Sequence, residues 1–227
     1  MSGAVAPAGL RPACRALVAL LCCIPLVTHG ARLTRAEIAQ TCTGAEDAGH
    51  CGRLIEALQL KRLPGLARRD GNDLVVSLFP SGSATLTDSD DPVNGRSYSL
   101  WDYIDGINSV VLYVTAGDST SFTLLQRTTN RRADLPAEPQ LSPDRQHLVV
   151  ADICAQHCAN EITVWRVSRD GFRKELRWAP GAAWSDAEAT WRDGDTLAIE
   201  YKAGVAGATA TVERKLGDPT WTRVAPP

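Results

Sequence analysis

Leu141-Ser142-Pro143-Asp144-Arg145-Gln146-His147-Leu148-Val149-Val150-Ala151-Asp152, followed by Ile162-Thr163-Val164-Trp165-Arg166-Val167, decides the fold class of this chain. Ser142-Pro143-Asp144 is turn chemistry, because proline presets φ and the serine and aspartate side chains hydrogen-bond nearby backbone. Residues 148–151 form a short apolar, β-branched run. Ile162, Val164 and either Arg166 or Val167 follow in near alternation. The order is turn, strand, turn, strand.

The chain past Asp70 has the same texture. Strand-like runs fall at 74–79, 84–87, 98–104, 110–115, 122–127, 172–178, 188–191, 196–201, 208–214 and 221–224. Between them stand turns such as Pro80-Ser81-Gly82, Asp105-Gly106, Gly117-Asp118, Thr129-Asn130 and Arg169-Asp170-Gly171, and Pro180-Gly181 opens a loop to Asp186. Turn signals every roughly 8–12 residues are the mark of an all-β sandwich, barrel or propeller. The expected fold is mainly β, with antiparallel sheets forming a partial propeller-like or sandwich domain over 70–227. A short helical segment over 32–69 precedes it. There, Thr34 and Glu37 have capping-box spacing, and Leu54, Ile55, Leu58 and Leu60 recur with helical period up to Pro64-Gly65. Thr43-Gly44 and Gly49 break the pattern into two short helices joined by a loop from Cys42 to Cys51.

Residues 1–31 read as a secretory signal peptide. Arg11 and Arg15 stand before a continuous apolar run over 16–27, and small residues follow at Gly30-Ala31. The run is shorter than the roughly 20 residues that span a bilayer, so stable membrane insertion is not expected. Cleavage after Gly30 or Ala31 places the protein in the periplasm or outside the cell. Removing residues 1–31 leaves 22 basic against 26 acidic side chains, a net charge of −4. That balance argues against nucleic acid or an anionic membrane as partner.

Cys14, Cys22 and Cys23 leave with the leader, and Cys42, Cys51, Cys154 and Cys158 remain. An even number in an exported chain points to disulfides, with three connectivities open. The local pairs Cys42–Cys51 and Cys154–Cys158 are favoured, because each flanks a stretch of small and polar residues. His50-Cys51 and His157-Cys158 offer an alternative, a two-Cys, two-His metal site. Their spacing matches no finger or knuckle, and exported thiols are usually oxidised, so no metal or other cofactor is expected.

An Asp-led turn feeding an apolar strand occurs three times, at Asp70 to Leu74, Asp144 to Leu148 and Asp193 to Leu197. Leu-Ser-Pro-Asp at 141–144, the apolar run after it, and Ile-Thr-Val-Trp at 162–165 resemble a blade of the WD40-like β-propeller repeats. Residues 187–201 resemble a worn second copy. Arg145 stands where those repeats usually carry glycine, and Arg166 follows the tryptophan where aspartate is common. The helical start and Ser-Pro-Asp strands together resemble a group of uncharacterised exported bacterial proteins. The resemblance implies an interaction scaffold and carries over no catalytic residue.

Candidate binding residues cluster first in Trp101-Asp102-Tyr103-Ile104-Asp105. Asp102 and Asp105 are candidate glycosidase carboxylates, with Asp118, Glu161, Glu188 and Glu200 available as partners. Trp165, Trp184 and Trp191, with Trp101, are candidates for stacking on sugars or peptides. Asp88-Ser89-Asp90-Asp91 resembles part of a calcium loop without its bidentate glutamate, since position 99 is serine; a solvated acidic turn is the plainer reading. Nucleophile elbows, zinc-protease helices, phosphate loops and dinucleotide fingerprints are absent from the sequence. The expected function is that of a non-enzymatic exported scaffold binding a protein or an envelope glycan, of undetermined oligomeric state. The alternatives are a glycan-acting hydrolase using carboxylates near Asp102 and Asp105, and metal handling through the Cys/His loops.

Overall fold

The computed structural model describes residues 32–91, 95–154, 158–181, 184–203 and 207–225. Two helices open this unit, α1 (Arg35–Thr41) and α2 (Ala48–Arg62). Thr34 caps α1 with a complete capping box: its hydroxyl accepts from the Glu37 N–H, and Glu37 accepts from the Thr34 N–H at 2.8 Å. Asp47 caps α2 through the His50 N–H at 2.7 Å. The Cys42–Cys51 disulfide ties the end of α1 to the first turns of α2, and Cys154–Cys158 closes a second short loop.

Four antiparallel sheets follow in chain order. The first holds β1 (Ala67–Asp70), β2 (Asp73–Ser77) and β3 (Ser83–Thr87). The second holds β4 (Arg96–Ile104), β5 (Ser109–Ala116), β6 (Ser119–Gln126) and β7 (Arg131–Leu135). The third holds β8 (Gln140–Leu141), β9 (His147–Asp152), β10 (Glu161–Ser168) and β11 (Gly171–Trp178). The fourth holds β12 (Trp184–Trp191), β13 (Thr196–Ala203) and β14 (Thr209–Lys215), and the final β15 (Thr222–Arg223) returns to the outer edge of β11.

The sheets stack face to face. Alternate residues of one strand therefore enter different cores. Leu100, Val110, Leu112 and Leu125 pack towards the first sheet with Leu74, Val76 and Leu86. Val111 and Leu124, on the opposite face, join Leu148 and Val150 of β9. Val149, between those two, packs instead with Leu197 and Ile199 of the fourth sheet. Strands buried on both faces need continuous apolar runs, which is why 110–112 and 148–151 lack strict alternation. Among the described residues no buried apolar cluster joins the first sheet to the fourth, and the four antiparallel sheets form a sandwich-like or partial propeller-like domain.

The strand that opens each of the last two sheets enters the next through an aspartate-led turn. In the third sheet Ser142 Oγ donates to Asp144 Oδ1 at 2.6 Å and accepts from the His147 N–H, while Asp144 accepts from the Gln146 N–H. In the fourth, Asp193 accepts from the Asp195 and Thr196 N–H groups at 2.9 and 2.8 Å. Asp70 differs: it sits in a plain hairpin opposite Asp73, and its carboxylate pairs with Arg68.

Three sequence expectations need correction. The sheet begins at Ala67, inside the segment assigned to the helical start, because Arg68 and Arg69 extend from a strand that the charge pattern disguised. Residues 131–135 form a full strand that was not among the expected strand-like runs; its polar outer positions hide the alternation. The loop expected up to Asp186 gives way to β12 at Trp184.

α2 lies on the second sheet at close range. A Cβ on Gly52 would stand 2.9 Å from Tyr113 Cδ1 and 3.0 Å from Ser99 Oγ. Gly52→Ala therefore forces the helix off β4 and β5. We expect it to cost about 1–3 kcal/mol, read as a lower urea midpoint with an unchanged m-value. An unchanged midpoint would show that the helix is free to shift.

Candidate functional site

A cleft of about 410 Å³ opens between the segment over 32–38 and the facing strands of the third and fourth sheets. Its walls are small and apolar, with Ala137, Val149, Ala151, Ala187 and Ala189 lining it. Its rim is charged. Arg32 pairs with Glu138, and Arg35 pairs with Glu188 on β12 at 2.9 Å. Leu33, between the two arginines, is buried and pins the segment in place.

Behind the Arg32–Glu138 pair stands Asp102. A β-bulge between Leu100 and Asp102 adds Trp101 to the strand, so Trp101 and Asp102 are both buried. Trp101 packs on Tyr113 and Phe122, with ring centroids 5.0 and 5.6 Å away. Its indole N–H donates to Glu138 Oε1 at 3.0 Å. Asp102 Oδ1 accepts from the Tyr103 N–H at 2.8 Å, and Oδ2 lies 3.8 Å from Arg32 Nε. Burial pushes the Asp102 carboxyl up to about 6, against the Tyr103 N–H and Arg32, which both favour the charged form; Glu138 adds to the rise. Asp102 is thus a carboxyl poised to exchange a proton near neutral pH.

The other sequence candidates are scattered. Tyr103 donates to Asn108 Oδ1 at 3.0 Å and lies under the Arg127 guanidinium. Asp105 is exposed in a 3-10 turn over Asp105–Ile107, so the two aspartates do not form a facing pair with each other. Trp165 bonds its own strand through Thr163 Oγ1 at 3.0 Å and sits under Lys174. Trp184 stacks on Tyr201 at 3.8 Å and meets Trp178 edge-on. Trp191 donates to the Gln140 carbonyl at 2.9 Å. These tryptophans join strands and sheets to one another; Trp178 and Trp221 do the same. Phe79 is the large hydrophobic side chain most open to water among the described residues.

Both cysteine loops are closed by sulfur–sulfur bonds, and His157 lies outside the described residues. Among the described residues no group of three or more His, Cys, Asp or Glu side chains converges on a common point. His147 is buried against Trp191, and its Nδ1 has no partner among the described residues. Its ring does not meet Ser142, whose hydroxyl is committed to Asp144, so no serine–histidine relay forms here. In the calcium-like stretch, Asp88 faces inward onto Arg53 and Arg69, and residues 92–94 lie outside the described set. Among the described residues no helix is long and apolar enough to cross a membrane.

Sequence reasoning missed Arg32 and Glu138. Glu138 carried a signal, an acid set between Pro136 and Pro139 in a connector with no reason to hold charge. Arg32 did not, since it looked like the first residue after the leader. Comparisons with family models, with curated proteins and with solved structures found no match.

The sign of the Asp102 shift fixes a pH dependence. An acid whose carboxyl titrates higher in the fold than the ordinary 3.8 is favoured when neutral, so its contribution is full below about pH 4 and is lost as pH rises to about 6. The loss is about 3 kcal/mol at most. Carboxyl-carbon NMR should give a midpoint near 6, and Asp102→Asn should flatten stability across that window. A midpoint near 4 would remove the assignment.

Proposed function

We propose that the protein is an exported, non-enzymatic β-scaffold that binds a protein or envelope-glycan partner in the cleft beneath the segment over 32–38. The observation that carries this reading is the combination of a floor of small apolar side chains with two exchangeable ion pairs, Arg32–Glu138 and Arg35–Glu188. Alanine walls leave room for a chain of sugar rings or an extended peptide. Carboxylates and guanidinium groups at the rim suit hydroxyl and amide partners, and can trade their mutual bonds for new ones. The leader-like sequence over 1–31 and the two disulfides support export. The sequence over 141–167 resembles a blade of the WD40-like repeats, and that resemblance implies an interaction scaffold.

The test fills the cleft. Ala187→Trp and Arg35→Glu are expected to lower capture of crosslinked envelope material and of soluble glycans by about tenfold or more, with circular dichroism unchanged. Capture equal to wild type by both variants would contradict the assignment.

A second reading rests on a specific observation, the raised Asp102 carboxyl beside Glu138. Two carboxyls in unlike environments are what a glycan-acting hydrolase uses as acid and base. It requires release of reducing ends from envelope glycans, abolished by Glu138→Gln and with a pH limb near 6 lost in Asp102→Asn. Release that survives both variants would remove it.

A further inference from the structure

A second concavity, of about 580 Å³, lies where the turn after β6, the turn after β10 and the Ser-Pro-Asp-Arg turn meet. It shares no lining residue with the cleft. Arg145 and Arg169 line it, together with the hydroxyl-bearing Thr128, Thr129 and Ser168, and no carboxylate does. Neither arginine forms an ion pair among the described residues.

Arg145 is held there at a cost. Its φ is 60°, in the left-handed region that favours glycine. The other non-glycine residues with positive φ among the described residues are Asn108, Asn130 and Asn160, a type that tolerates this region. Arginine has no such excuse, and strain of this kind persists where surrounding structure or function requires the side chain. The side chain is also guided. A Cβ on Gly106 would stand 3.1 Å from both Arg145 Cδ and Nε, so the guanidinium stem lies across the bare Gly106 backbone. The floor is knitted by Gln126, which is buried. Its amide donates to the Ser168 carbonyl at 3.2 Å, and its oxygen accepts from Thr129 Oγ1 at 2.7 Å. The two turns that carry Thr129 and Arg169 are thereby fixed to each other.

We propose that this groove binds a phosphate or sulfate group, free or as a monoester on a larger ligand such as a glycan, through the Arg145 and Arg169 guanidinium forks, with the Thr128 hydroxyl completing the shell while those of Thr129 and Ser168 stay bonded to Gln126 and Gly171. Planar guanidinium forks match the oxygens of such an ion in pairs, and unpaired arginines beside hydroxyls leave the anion as the missing partner. The site is independent of the cleft and of its proposed role.

The test is an amide NMR titration of the full mature chain with inorganic phosphate, with a sugar 6-phosphate, with the matching sulfate ester and with the neutral sugar. Saturable shifts at Thr128, Thr129 and Ser168 are expected with phosphate or an ester and not with the neutral sugar. Binding of the esters alone would identify the ligand as ester-bearing, and equal binding of phosphate would identify the free ion. Arg169→Gln and Arg145→Gly should each weaken binding by at least about tenfold. Arg145→Gly should at the same time raise the thermal midpoint, because glycine adopts the backbone freely. Absence of saturable shifts with every anion, shifts equal with the neutral sugar, or unchanged affinity in both variants would overturn the proposal.

Discussion

The buried carboxylate of Glu56 is the constraint on which the rest of this structure depends. It sits on α2, and its side chain is only 4% exposed. Arg69 of β1 grips it with two nitrogens, at 2.8 and 2.7 Å, and the Leu100 N–H of β4 donates to it at 3.0 Å. Arg53, one turn earlier on α2, reaches the same carboxylate, the Tyr98 carbonyl and Asp88. Asp88 in turn accepts from the Tyr98 N–H at 2.8 Å and from Arg69. Four charged side chains thus meet at the seam where the helix, the first sheet and the second sheet join, with Glu56, Asp88 and Arg69 largely removed from water and Arg53 partly exposed. Such a cluster need not be worth more than an apolar one, but it fails hard when one member is lost, by about 3–5 kcal/mol. It also fixes direction. The helix has one register in which Glu56 meets Arg69, Gln59 meets the Trp101 carbonyl and Gly52 clears Tyr113.

That anchoring sets the geometry of the site. With α2 held on β4, the segment before α1 is led across to the third and fourth sheets, where Leu33 is buried and Arg32 and Arg35 find Glu138 and Glu188. The stacked sheets determine what remains for binding. Strands such as β9 are covered on both faces, so sheet faces there are core. The tryptophans that looked like a binding row instead fill the spaces between sheets, with Trp184, Trp178 and Trp221 closing the interface of the third and fourth. The concave surfaces that remain lie at the turns of the sheet ends and in the cleft under the N-terminal segment.

The sequence revealed those features that local chemistry dictates. Thr34 and Glu37 made their capping box, the two cysteine pairs closed locally, and the Ser-Pro-Asp and Asp193 turns did what their side chains allow. The mainly β, antiparallel architecture followed from turn spacing. What stayed hidden is long-range and polar. The inward face of α2 is Gly52, Ile55, Glu56 and Gln59, a face no apolar periodicity can announce. Asp88 read as a surface acid because its partners, Arg53 and Arg69, lie 35 and 19 residues away. The strand over 131–135 escaped because two arginines and an aspartate fill it. Of the site, Trp101 and Asp102 were legible as an unusual pair, while Arg32 and Glu138 became visible only when the fold brought residues 106 apart together.

The most direct measurement of this account is a double-mutant cycle between Glu56 and Arg69, using Glu56→Gln, Arg69→Met and the pair, read by urea unfolding of the oxidised protein. If the buried carboxylate fixes the helix on the sheets, each single variant loses about 3 kcal/mol or more. The double variant should then recover much of that, giving a coupling above roughly 1.5 kcal/mol. Additive losses with a coupling below about 0.5 kcal/mol would show that the helix is held by apolar packing alone, and the central claim would fail.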